Sequence, residues 1–95
     1  MTISIFERVG ATAVNKDIAK SIRLSEIIPR LDEGEKVILD FAGVDSANQS
    51  FIHALISDLI RNYGSGVLDK ISFKNCNKTV QKIINIVVDY MQASE

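Results

Sequence analysis

Cysteine, proline and histidine each occur once, and two of these scarcities exclude whole classes of function. A lone Cys76 cannot form a disulfide within the chain, so a reducing, cytoplasmic setting is the expectation. A lone His53 leaves no group of imidazoles and thiols at metal-ligand spacing, and no metal or cofactor is expected. No apolar run approaches the roughly 18 residues that span a bilayer. The opening TISIFERV alternates and carries two charges, unlike a secretory signal, so no membrane role is expected. Neither sign of charge is in excess: 11 Lys and Arg stand against 12 Asp and Glu, a formal net charge of −1. Dedicated nucleic-acid binders carry a basic surplus, and none is present. P-loop, GxGxxG, CxxC and HExxH patterns are all missing. Too few titratable groups can converge to supply a nucleophile and its base, so the chain reads as a non-enzyme.

What the chain has is apolar residues, 46% of its 95 positions, enough for one domain over 1–95 and too many for intrinsic disorder. They concentrate in residues 36–64. Val37-Ile38-Leu39 and Phe41 form a short, nearly continuous run that suits a strand covered on both faces in a parallel sheet. Gly43, Asp45, Ser46 and Asn48 then make a polar turn with capping residues. From Gln49 to Tyr63 the apolar residues at 51, 52, 55, 56, 59, 60 and 63 trace a helical stripe, and Gly64 follows as a helix stop. Hydroxyls and amides thus gather where a strand's carboxyl end meets a helix's amino end, the usual place for sites in open α/β sheets. The competing use of Ser46, Asn48 and Ser50 is simply to cap the helix.

Before this stretch, residues 2–8 read as an edge strand with Ile3 and Ile5 on one side, and residues 11–14 as a short hairpin partner after Gly10. Asn15 caps a helical region over 16–32. Its two apolar stripes, Ile18-Ala19-Ile22 and Leu24-Ile27-Ile28-Leu31, are out of phase, which predicts a break or kink. Ser25 is a candidate second cap, and Pro29 would fall at or just past that segment's first turn. After the central helix come a loop over 65–69, an alternating strand over 70–74 and a final helix over 78–92 capped by Asn77. Ile86 and Tyr90 widen that last helix's stripe beyond what one sheet face needs. Asp40, set in an apolar strand, needs backbone N–H partners or surface access. Cys76, just before a helix, sits where a thiol's pKa can be lowered, but no His or Asp motif accompanies it.

The stretch VILDFAGVDSANQSF resembles the STAS-like domain family of unknown function, which is related in pattern to bacterial anti-sigma-factor antagonists. Leu39-Asp40-Phe41, Gly43-Val44 and Ser50-Phe51 carry the resemblance, with Asn75-Cys76-Asn77 as the later Asn-rich turn. It spans roughly Val9 to Tyr90. It implies a small α/β sandwich, a mixed and mostly parallel sheet of about four strands with helices mainly on one face. It also implies a regulatory protein-binding module whose partner is a kinase-like ATPase. The antagonists' phosphorylated signature, Asp-Ser-small-Gly, falls on Asn48-Gln49-Ser50-Phe51, where only Ser50 keeps a hydroxyl. His53-Ala54 stand where STAS-like relatives often carry an acid.

The resulting expectation is a partner surface of Asp45, Ser46, Asn48, Gln49, Ser50, Phe51 and His53, with Ser50 and Ser46 as candidate phosphorylation sites. A different expectation is a small phage- or mobile-element-encoded inhibitor or accessory protein acting by surface contact, as a homodimer through Ile86 and Tyr90.

Overall fold

Along the chain the elements run β1 (Thr2–Ser4), α1 (Ile5–Val9), β2 (Thr12–Ala13), α2 (Lys16–Ile22), a π-helical turn (Arg23–Ile27) and α3 (Ile28–Asp32). There follow β3 (Val37–Asp40), β4 (Ser46–Ala47), α4 (Gln49–Tyr63), a 3₁₀ segment (Ser65–Lys70), β5 (Ile71–Lys74) and α5 (Lys78–Ala93). The structure, a computed structural model, describes residues 2–93. The main sheet is parallel, in the order β1-β3-β5, with Ile3 opposite Leu39 and Val37 opposite Ile71. The apolar run at 37–41 therefore occupies the centre of the sheet. Parallel neighbours in register point the same way, so Ile3, Val37, Leu39 and Ile71 share one face, and all are buried.

Two expectations about this sheet need correction. The run at 37–41 does not lie between two helical layers: Ile38 and Asp40 are only half-buried, in line with Thr2, Ser4, Ser72 and Lys74 on a polar back face. Helices cover the other face, as the fold class expected. Nor do residues 11–14 form a hairpin with the first strand. Ser4 accepts the amide N–H of Glu7 at 3.2 Å and starts helix α1 at Ile5, which ends the strand after three residues. The chain then carries β2 past β1 to pair, in parallel, with β4. Among the described residues the five strands thus form a three-stranded and a two-stranded sheet.

The region 16–32 shows why its stripes are out of phase. Asn15 caps α2 by accepting the N–H groups of Asp17 and Ile18. Ala19, Arg23, Ile27 and Leu31, four apart, are all buried. At 3.6 residues per turn each such step overshoots by about 40°, and a regular helix would swing Leu31 out of line. The wider π turn over Arg23–Ile27, with the Ile28 N–H bonded five residues back to the Arg23 carbonyl, takes up that drift. Pro29 cannot donate to the carbonyl four residues behind it, which loosens the α pattern at the same place. Ser25 caps nothing here, and Leu24 is half exposed instead of joining the stripe.

Helix α4 buries Phe51, Ile52, Leu55, Ile56, Leu59 and Ile60 against the sheet. Tyr63, the last of the stripe, stays exposed and donates its hydroxyl to Asp32 at 2.6 Å. That bond raises the phenol's pKa above its ordinary value, with desolvation adding to it. Helix α5 buries Val80, Ile84, Val87 and Met91. Helices α2 and α5 flank α4 on its two sides, so one stripe of α4 remains uncovered between them.

Candidate functional site

The turn from β3 into α4 is held from three directions. Gly43, at φ +88°, has the Phe6 ring so close that an added Cβ would stand 2.9 Å from it. The Asp45 and Ser46 N–H groups donate to the Ala11 carbonyl at 2.8 and 3.2 Å, and the Asn48 N–H to the Ala13 carbonyl at 3.2 Å. Asn77 caps α5 by accepting the Val80 N–H at 2.8 Å, and its amide donates to the carbonyls of Asp45 at 2.8 Å and Val44 at 3.4 Å. One side chain thus ties the loop after β3 to the loop after β5.

Within this frame Asn48 alone caps α4, accepting the Phe51 N–H at 2.8 Å. Ser50 is therefore released from capping and lies exposed. Gln49 is exposed, His53 half-buried, and both line a groove of about 480 Å³ with Ser50, Lys16, Ala54, Ile86, Val87 and Tyr90. Residues read separately in the sequence, the start of α4 and the exposed pair on α5, meet here. Ile86 and Tyr90 are 40% and 65% exposed, which leaves them able to touch a ligand. Phe51 is not: it is fully buried and belongs to the core, because it lies on the same apolar stripe of α4 as Leu55, Ile56 and Leu59. Asp45 is exposed and Ser46 half-buried, on the rim set by the β2–β4 pairing and outside the groove. Lys16 was missed by sequence reasoning, since nothing in its local pattern shows that α2 packs beside α4.

A second depression of about 380 Å³ continues from the first, sharing Lys16, His53 and Ala54 and reaching Lys20, Arg23 and Arg61. Arg23 is buried under α4. It donates to the Ala54 carbonyl at 2.6 Å and pairs with Asp58 at 3.1 Å. Its Nε is the one buried side-chain polar atom without a hydrogen-bond partner among the described residues. Asp58 also meets Arg61 at 3.5 Å, so its carboxylate is shared by two guanidinium groups.

The Asn-rich turn holds a different cluster. Asp40 accepts from the Asn75 amide at 3.0 Å and the Ala42 N–H at 2.9 Å, the surface-accessible solution its position in the strand requires. The Asn75 bond, then that of Ala42, holds this carboxyl below its ordinary pKa. Asn75 takes φ +58°, a conformation asparagine tolerates. Cys76 behaves opposite to the helix-start expectation: burial, then the nearby Asp40 charge, pushes its thiol pKa up. A raised pKa makes a poor nucleophile at neutral pH. Among the described residues no group of three or more His, Cys, Asp or Glu is placed to hold a metal ion, and no helix is long and apolar enough to cross a membrane.

A family profile described as a STAS-like domain of unknown function matches residues 20–81, from within α2 to the first turn of α5. The chain belongs to this STAS-like family. The matched stretch is narrower than the Val9–Tyr90 span the motifs suggest. It contains the β3–α4 turn and Asn75-Cys76-Asn77 but leaves out Lys16, Ile86, Val87 and Tyr90. No curated protein and no solved structure matches the chain. Of the groove's lining, Gln49, Ser50, His53 and Ala54 fall within the matched stretch.

Proposed function

We propose that this STAS-like domain is a non-catalytic, cytoplasmic regulatory module that binds a protein through the turn and helix start at 45–53. The observation that carries the reading is the release of Gln49, Ser50 and His53 from capping and core duties into one groove with the exposed Ile86 and Tyr90. Broad recognition by exposed apolar side chains beside polar ones is how protein surfaces bind partners. The partner class that the family resemblance implies is a kinase-like ATPase. The exposed Ser50 hydroxyl is the modification site this reading favours, over the half-buried Ser46. A phosphate there adds nearly two negative charges, about −1.5 to −2, and changes what the groove accepts.

Affinity capture from the native cell, comparing the natural chain with Ser50→Asp, tests the reading. The variant should lose a partner that the natural chain recovers, with an unchanged melting temperature, and mass spectrometry of the captured chain reports any phosphate. Identical recovery by both would show that the helix start is not the contact surface. The exposure of Ile86 and Tyr90 also favours a second reading, a mobile-element inhibitor or accessory protein acting as a homodimer. Light scattering that finds a dimer lost on Tyr90→Ala supports that reading instead.

A further inference from the structure

The two depressions on α4 form one continuous surface with opposite ends. At the α5 end, the exposed Ile86 and Tyr90 present apolar area. Toward α2 the lining is cationic. Lys16, Lys20, Arg23 and Arg61 stand against Asp17 and Asp58, a local excess of two positive charges on a chain whose formal net charge is −1. The two carboxylates do not cancel the field evenly, because Asp58 is already engaged by Arg23 and Arg61. Lys16 and Lys20, both exposed, remain at the mouth, and Lys16 with His53 marks the junction of the two ends.

We propose that this α2–α4–α5 groove binds an acidic segment of a partner protein, with one apolar side chain seated against Ile86 and Tyr90 and carboxylates facing Lys16 and Lys20. The inference rests on the protein-binding reading above and names the chemistry of the partner. Charge complementarity selects an acidic segment over a basic or neutral one and suppresses wrong partners. The apolar end supplies an anchor of the kind that dominates binding energy. A cationic mouth open to solvent also makes the interaction weaken as salt is raised.

The test is selection from a random-peptide display library on the immobilised full chain, followed by fluorescence-polarisation titration of the enriched peptides. The enriched sequences should carry an aromatic or aliphatic residue flanked by Asp or Glu. Lys16→Glu combined with Lys20→Glu, both solvent-facing changes, should weaken binding by about tenfold or more. Tyr90→Ala should weaken it as well, and Lys70→Glu, away from the groove, should not. The inference is overturned if no peptide is enriched, or if the enriched peptides lack acidic bias. It is equally overturned if the folded double variant binds as well as the natural chain, or if a second copy fills the groove in a dimer that Tyr90→Ala abolishes. Should Ser50→Asp alter partner capture while the lysine variants do not, the acidic segment is wrong and the module reading stands; should none of them matter, both fall.

Discussion

At the scale of single residues, asparagine does most of the positioning. Asn15, Asn48 and Asn77 each accept amide N–H groups at a helix start, and Asn75 turns the chain at positive φ while donating to Asp40. The three caps were legible in the sequence, because a short polar side chain before an apolar stripe has few other uses. The Asn77 bridge to the Val44 and Asp45 carbonyls was not, since it joins residues more than thirty positions apart. Asp40 gives a measurable consequence. Folding lowers its pKa, so near pH 4 the unfolded chain binds more proton than the folded one. Its stabilising contribution is thus present above the unfolded value and fades as the pH falls through the folded one. Asn75→Gly keeps the positive φ and removes the donor. A carboxyl NMR titration of this variant should show the Asp40 pKa moving up toward the ordinary aspartate range, with a flatter loss of stability on acidification. An Asp40 titration that does not move would show that the Asn75 bond contributes little in solution.

At the scale of elements, periodicity found what repeats and missed what is too short to repeat. Helices α4 and α5 and strand β5 follow from stripes and alternation in the sequence, and their burial pattern agrees at nearly every position. Strand β3 follows from its apolar run, which shows the strand but not that one of its faces is only half-buried. Helix α1 and strands β2 and β4 have two to five residues each and no period to read. The Ser4-x-x-Glu7 spacing, that of a capping box, was the one local signal for α1. The π turn sits between these cases: the phase error was visible, its cure was not. That turn places Arg23 beneath α4, where it makes the main polar link between α2 and α4. Arg23→Ala leaves the Ala54 carbonyl without its charged donor and Asp58 with only Arg61. The expected cost is about 2 kcal/mol or more in chemical denaturation, because hydrogen bonds from charged donors to buried acceptors are the stronger class. Arg61→Ala, an exposed member of the same network, should cost about 0.5 kcal/mol or less. Equal losses from the two variants would mean that Arg23 is not the link between the helices.

Across the whole molecule, the elements differ in how many sides hold them. Strand β3 is paired on both edges, and Val37, Leu39 and Phe41 have no exposed surface. Helix α4 is flanked by α2 and α5. Helix α5 is an outer element, buried along one stripe and tied to the rest at its first turn by Asn77. Regions with fewer buried contacts open at lower free energy than the core. The amides of α5 beyond its first turn should therefore exchange with solvent through an opening smaller than global unfolding, while those of Leu39 and Ile56 exchange only when the whole domain unfolds. This difference bears on recognition, because α5 supplies the apolar wall of the groove. A peptide seated against Ile86 and Tyr90 binds only the closed form, so at a hundredfold excess over its Kd it should raise the opening free energy of α5 by about 2.7 kcal/mol. Native-state hydrogen exchange with and without such a peptide measures both quantities. Exchange of α5 in step with Leu39, under every denaturant concentration, would mean that this wall is as fixed as the core and that binding has no separate motion to quench.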